Sequence, residues 1–287
     1  MRQFRLAALF LGLATGGLAL DQTAYQAAVA LYGGHRPLEA QQAFEALAVT
    51  APDNADIQFY LGRLALQRDD HVQAVAYLEK ATALSPNDSR MHQRLGDAYG
   101  RSAQKAGFFA QLGWAGKCRT EYEKAVSLDP KNIDAHWSLM EFYRQAPGIA
   151  GGGNDKALAE AREIKRLDVA RGRIAVASVF AADGKFAEAF QEFDEALQAK
   201  PGDYAALYQT GRLAAISGQQ LERGLAVLRQ CLAQTPPADQ PGPAPVQWRI
   251  GNILEKKGDP AGARAAYEAA LKIDPGFVQA RDSLKKL

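Results

Sequence analysis

The chain has 287 residues, 47% of them hydrophobic and 23% charged, which is enough apolar material for a sizeable core and one or two domains. Its formal charge of +2 resides in Arg2 and Arg5, and the remaining residues balance at 32 basic against 32 acidic. A neutral body lacks the basic face that nucleic-acid binding needs, so nucleic acid is not expected as a partner.

Residues 1–19 read as an export signal. A short basic start, MRQFR, precedes the uncharged run Leu6–Leu20. That run would extend roughly 22 Å as a helix, short of a bilayer core of about 30 Å. Gly16-Gly17 breaks it, and Gly17 and Ala19 suit the −3 and −1 positions of a cleavage site. No cysteine follows for a lipid anchor. The mature protein is therefore expected in the periplasm or secreted, with no membrane span after cleavage; a retained anchor is the alternative.

From Asp21 onward the sequence repeats itself. Residues 55–88 and 244–277 are both 34 long and align without a gap. Each has an aliphatic-glycine pair at repeat positions 7–8 (Leu61-Gly62, Ile250-Gly251) and Ala at 20 (Ala74, Ala263). Each has a bulky residue at 24 (Leu78, Tyr267), Ala at 27 (Ala81, Ala270) and Pro at 32 (Pro86, Pro275). Small residues at 8 and 20 let two antiparallel helices approach. The bulky residue at 24 fills the space between helix pairs, and the proline stops the second helix.

These positions resemble the tetratricopeptide repeat (TPR) family. The resemblance implies an all-α, right-handed α-solenoid of about seven helix pairs, with repeats at about 21–54, 55–88, 89–132, 133–169, 170–203, 204–243 and 244–277. A charged segment, 278–287, is expected to cap the last pair, because terminal repeats need a polar cover.

Two repeats are irregular. Repeat three has ten extra residues between Pro86 and Pro130, around AQKAGFFAQLGWAGK (103–117). That segment lengthens the hairpin and brings Phe108, Phe109, Leu112 and Trp114. The aromatics either pack against repeat four or form an apolar protrusion for a partner, with Phe108, Phe109 and Trp114 as its docking residues. Repeat four has five extra residues in the glycine run PGIAGGGNDK (147–156). A phosphate-binding loop follows a strand and places Lys-Ser/Thr directly after its last glycine. Here a helix precedes and Asn154-Asp155-Lys156 follow. The run is expected to be a turn, with Asn154 or Asp155 capping the next helix.

Little else suggests chemistry. His92 and His136 share repeat position 4, where satisfied core histidines are expected. No H-E-x-x-H, C-x-x-C or G-x-S-x-G occurs. No metal, cofactor or catalytic residue is expected. Cys118 and Cys231 lie in distant repeats and are expected as free thiols, since repeats touch only their neighbours.

In the TPR family the first helix of each pair lines the concave face. Position 5 there reads Tyr25, Phe59, Gln93, Trp137, Ile174, Tyr208 and Trp248; position 9 reads Val29, Arg63, Asp97, Glu141, Ser178, Arg212 and Asn252. Aromatics among charges of both signs suit a protein or peptide groove. The candidate contacts are Tyr25, Phe59, Arg63, Gln93, Asp97, Trp137, Glu141, Tyr208, Arg212, Trp248 and Asn252. This composition departs from TPR domains that bind C-terminal carboxylates with Lys and Asn at those positions. The expected function is a non-catalytic scaffold holding a protein or peptide in the cell envelope. Alternatives are an envelope assembly factor recognising glycan or membrane-protein segments, and a metal-dependent enzyme built on His92 and His136 with Asp97 and Glu141.

Overall fold

The computed structural model describes residues 20–237 and 240–287. Residues 1–19, read above as an export signal, lie outside the described residues. Among the described residues there are fifteen α-helices, one 3-10 turn and no strand. No described helix is long and apolar enough to cross a membrane.

The helices pair as the 34-residue frame requires. They are α1 (Gln22–Gly33) with α2 (Pro37–Thr50), α3 (Ala55–Gln67) with α4 (His71–Leu84), and α5 (Ser89–Lys105) with α6 (Phe108–Leu128). There follow α7 (Ile133–Gln145) with α8 (Asn154–Leu167), α9 (Val169–Ala182) with α10 (Phe186–Ala199), and α11 (Tyr204–Ser217) with α12 (Leu221–Leu232). The last pair is α13 (Pro243–Lys256) and α14 (Pro260–Ile273), followed by α15 (Val278–Leu284).

Helix starts follow from capping. Asp21, Asn54, Asp88, Asn132, Asp168 and Asp203 each precede a first helix and accept a hydrogen bond from its second or third residue. Each such cap is worth about 1 kcal/mol. The turn inside a regular pair passes through left-handed backbone at repeat position 15. Gly184, Gly218 and Gly258 adopt it at φ 73–75°, and His35 and Asp69 adopt it at 56° and 59°. Repeats three and four abandon this turn. In repeat three the extra residues continue both helices, to 17 and 21 residues, and only Ala106-Gly107 connects them.

The chain divides into two compact units, one ending at Leu128 and the other spanning Asp129–Leu287. In the first, Phe44, Ile57, Leu61 and Leu64 form a core between α1, α2 and α3. In the second, Phe190, Phe193, Leu207, Leu228, Val246 and Ile253 fill the centre. Its last cluster packs Ala280 of α15 on Tyr267 and Ala270, so α15 covers the end of the stack. The first helices of this unit stack in order, α9 on α7, α11 on α9 and α13 on α11. That layer carries the positions read above as contacts.

Candidate partner-binding faces

In the unit ending at Leu128, much of the predicted row is already engaged. Phe59 and Gln93 are 4% and 5% exposed. Tyr25 lies edge-on to Phe44 and Tyr60, and burial pushes its phenol up to about 12. Arg63 stands over the rings of Tyr32, Phe59 and Tyr60 at 4.6, 5.3 and 5.7 Å, half-buried in an aromatic cradle. Such stacking stabilises a guanidinium while leaving its edge available. Asp97 has a packing role: its Oδ1 accepts from the Tyr122 phenol at 2.8 Å and its Oδ2 from Arg94 at 2.8 Å. The ring of Tyr122 lies directly on Gly96, where a Cβ would come within 2.5 Å of it. Burial raises the Asp97 carboxyl above the usual carboxylate range, against the lowering effects of Arg94 and Tyr122.

In the unit Asp129–Leu287 the same device recurs at the last pair. Tyr267 lies on Gly251, and its phenol reaches both Asn252 Oδ1, at 2.8 Å, and Glu255 Oε2. Asn252 therefore also serves packing. Trp248 is turned to the end of the stack: its indole donates to Ser283 Oγ at 3.1 Å and its ring meets Phe277 edge-on. Tyr208 is 6% exposed. What stays accessible is half-buried. Trp137 has the Arg171 guanidinium 5.9 Å from its ring centre, and Arg171 also pairs with Asp134 at 2.6 Å. Glu141 pairs with Arg144 one turn on. Arg212 has no carboxylate partner among the described residues and donates to Gln209 Oε1 at 3.3 Å.

The two histidines are structural. His92 places Nδ1 2.6 Å from Glu121 and Nε2 2.9 Å from the Pro86 carbonyl. His136 does the same with Glu160 at 2.6 Å and Pro130 at 3.1 Å. Gln58, also at position 4, makes the equivalent carbonyl contact with Pro52 at 2.8 Å. Each histidine thus ties a second helix to the turn before its own first helix. The hydrogen bond to Glu160 raises the His136 pKa, opposed by burial. Neither histidine meets the carboxylates an enzyme was expected to use: Asp97 serves Tyr122 and Glu141 serves Arg144. Among the described residues no cluster of three or more His, Cys, Asp or Glu side chains could hold a metal. Cys118 and Cys231 are buried and free, and burial pushes both thiols up to about 12.

The glycine run is a turn in which the amides of residues 150–153 bond within the loop and to α7. The N–H groups of Ala150 and Gly152 donate to the Pro147 carbonyl, that of Gly151 to Gly148 and that of Gly153 to Tyr143. Gly152 passes so close to α7 that a Cβ would fall 1.8 Å from the Ala146 carbonyl oxygen. Contrary to expectation, neither Asn154 nor Asp155 caps α8. The cap position is Gly153, and the Asn154 amide instead donates to Asp183 at 2.7 Å. Lys156 folds back to the Gly151 carbonyl at 3.0 Å.

In the long hairpin, Trp114 packs on Tyr99 at 5.6 Å, with Lys117 over its ring. Phe108 and Phe109 stand at the apex, 68% and 87% exposed. Arg144, Arg171 and Arg249 were missed by the position-5 and position-9 reading. A signal was available for Arg171 alone: α9 contains arginines and no acidic residue.

Family models described as tetratricopeptide repeat match residues 15–89, 103–132 and 244–277. No curated protein matches the chain significantly. Among solved structures, a tetratricopeptide repeat protein from Parabacteroides merdae superposes with a TM-score of 0.66 at 14% identity, over 92% of this chain and 96% of that one. A thermophilic TPR protein of Thermus thermophilus gives 0.55 at 21% identity, over 67% and 97%. Human IFIT1, solved as a dimer with PPP-AAAA, gives 0.61 at 17% identity, over 92% of this chain and 62% of that one. At these identities the likeness is one of fold.

Proposed function

The chain is a tetratricopeptide repeat protein, and we propose that it is a non-catalytic scaffold of the cell envelope that holds a protein or peptide against its first-helix layer. The observation that carries this reading is the half-buried row Trp137, Glu141 and Arg212 in the unit Asp129–Leu287, which packing leaves only partly used. Aromatic and arginine side chains in such positions are the commonest anchors of protein interfaces. The export signal read in residues 1–19 supports an envelope location, and the neutral charge of the body supports a partner other than nucleic acid. The exposed Phe108–Phe109 apex supports a second, apolar contact surface.

Affinity capture from an envelope extract, comparing wild type with Trp137→Ala and Phe108→Ser/Phe109→Ser, tests the assignment. A partner captured by wild type and lost with Trp137→Ala supports the first-helix layer. Loss only with the double serine variant moves the binding site to the hairpin. N-terminal sequencing of the protein from a cell fraction checks the location: a mature start at Leu20 in the soluble envelope fraction is expected.

A further inference from the structure

The first-helix layer of the unit Asp129–Leu287 holds positive charge that the protein does not balance. Arg212 of α11 is half-buried, and among the described residues its hydrogen-bond partner is Gln209. Arg249 of α13, which packs beside α11, lies over the Trp248 ring at 4.1 Å, and its Nε is buried with no hydrogen-bond partner. Among the described residues no carboxylate pairs with either guanidinium. α13 packs on α11, and the charges of Arg249, Arg144 and Glu141 reach Arg212. Glu141 is the single carboxylate among them, and Arg144 and Gln145 already hold it. On α9, which lies between α7 and α11, position 9 is the small Ser178, whose hydroxyl turns back to the Ala175 carbonyl at 2.8 Å.

A half-buried cation without a counterion costs stability, and fixed hydrogen-bond donors left unmet raise that cost. A guanidinium fork is matched best by an oxyanion that accepts two parallel hydrogen bonds. We propose that Arg212 and Arg249, with Arg144 at the edge, form an anion-binding site that takes an acidic segment of a polypeptide through its side-chain carboxylates. The inference rests on the partner-binding reading of the same layer and adds the chemistry of the partner. Burial, and after it the neighbouring Arg249 charge, holds the Arg212 pKa below its ordinary value.

The test uses the full mature protein and titration calorimetry with three probes: an amidated decaglutamate peptide, an alanine-glycine peptide with a free C-terminus, and inorganic phosphate. Amidated decaglutamate is expected to bind, to weaken with salt, and to lose at least tenfold in affinity with Arg212→Gln or Arg249→Gln. Arg212→Lys, which keeps the charge and loses the fork, is expected to recover only part of that loss. Arg162→Gln, an exposed cation on α8, is expected to bind as wild type does. Because each Gln variant removes an unmatched charge, its denaturation midpoint should equal or exceed that of wild type, which separates lost binding from lost folding.

Equal binding by the Arg212, Arg249 and Arg162 variants overturns the site. Equal or tighter binding of the free-C-terminus peptide assigns it to a terminal carboxylate, and equal or tighter binding of phosphate assigns it to a small anion; either overturns the acidic-segment proposal. If Arg212→Gln abolishes decaglutamate binding while capture of the envelope partner persists, the anion site stands and the partner-binding reading of this layer fails. If decaglutamate does not bind while Trp137→Ala still abolishes capture, the anion site fails and that reading stands.

Discussion

The Tyr122 phenol of α6 donates to Asp97 Oδ1 of α5 at 2.8 Å across the bare surface of Gly96. Tyr267, Gly251 and Asn252 repeat this three-residue arrangement at the same repeat positions, 24, 8 and 9, with Glu255 as a further acceptor for the phenol. Where position 24 is leucine, as at Leu78, position 9 has no hydroxyl to satisfy and holds Arg63. The identity of position 9 therefore follows from position 24 in these repeats, and a charge read as a partner contact turns out to be the acceptor for a buried phenol.

That pairing predicts unequal effects at Asp97. Asp97→Asn keeps an acceptor for Tyr122, as Asn252 does for Tyr267, and should change stability by less than about 1 kcal/mol. Asp97→Ala strands the phenol and should cost about 1–3 kcal/mol. Burial raises the folded Asp97 pKa, so the carboxyl's contribution to stability is fully present below its unfolded value and is lost as pH rises through the folded one. Urea midpoints should accordingly shift in favour of Asp97→Asn over wild type between acid and neutral pH. A difference that stays constant across that range refutes the role of burial.

His136 should act as a pH-dependent tie. Its folded pKa is raised above the ordinary 6.5 by Glu160, so its stabilisation is fully present below about pH 6.5 and is lost as pH rises through the raised value. His136→Gln copies Gln58, which keeps the proline carbonyl contact without a titrating charge. Wild type should exceed this variant most below pH 6.5 and converge towards it in alkali. Chemical denaturation between pH 5.5 and 9 measures the difference, and parallel curves would contradict the pairing with Glu160.

The left-handed turn at position 15 offers a stability gain. His35 occupies that conformation at φ 56°, where three other repeats use glycine. A side chain there costs roughly 1–2 kcal/mol, partly offset by the greater entropy glycine loses on folding. His35→Gly should therefore raise the melting temperature or leave it unchanged, whereas Gly258→Val should lower it. A His35→Gly variant clearly less stable than wild type would mean that the imidazole makes a compensating contact.

The glycine run should be intolerant of bulk and indifferent to nucleotide. Gly152→Ala would drive a Cβ to 1.8 Å from the Ala146 carbonyl oxygen and must displace the turn, an effect among the larger ones of single substitutions, above about 2 kcal/mol. Lys156→Ala removes only a contact with the Gly151 carbonyl and should change little. Millimolar ATP or GTP should leave the melting temperature of wild type and of Lys156→Ala alike. A rise seen only in wild type would reopen the phosphate reading.

How much of this was legible depends on the range of the interaction. Glycine against a bulky residue and proline after a second helix act within one repeat, so their spacing made the all-helical repeat legible. The partners of His92 and His136 lie 29 and 24 residues away on a second helix, and periodicity cannot say which carboxylate faces which ring. Trp248 shared a row with Trp137, yet the end of the stack captured it through Ser283 and Phe277. The unmatched charge at Arg212 and Arg249 was hidden for the opposite reason: the body of the chain is neutral overall, and only the folded layer separates charge locally.

Trp137 is the decisive residue for the binding reading. It shares position 5 with Phe59 and Tyr208, which are buried, and with Trp248, which the end of the stack engages; its own ring stays half-exposed beneath the Arg171 guanidinium. A buried tryptophan replaced by alanine costs about 3–5 kcal/mol. A half-exposed ring whose polar neighbour stays paired with Asp134 should cost far less, about 1 kcal/mol, with at most ~1 kcal/mol of it from the lost cation–π contact. An interface anchor instead loses ~2 kcal/mol or more of binding. Trp137→Ala should therefore keep most of its denaturation midpoint while weakening partner capture at least about tenfold, since roughly 1.4 kcal/mol is a factor of ten. Arg171→Gln separates the two contributions: it removes the cation above the ring and keeps the ring, so capture should fall less than with Trp137→Ala. A large loss of stability in Trp137→Ala would place the ring in the core, and unchanged stability with unchanged capture would remove it from the binding face.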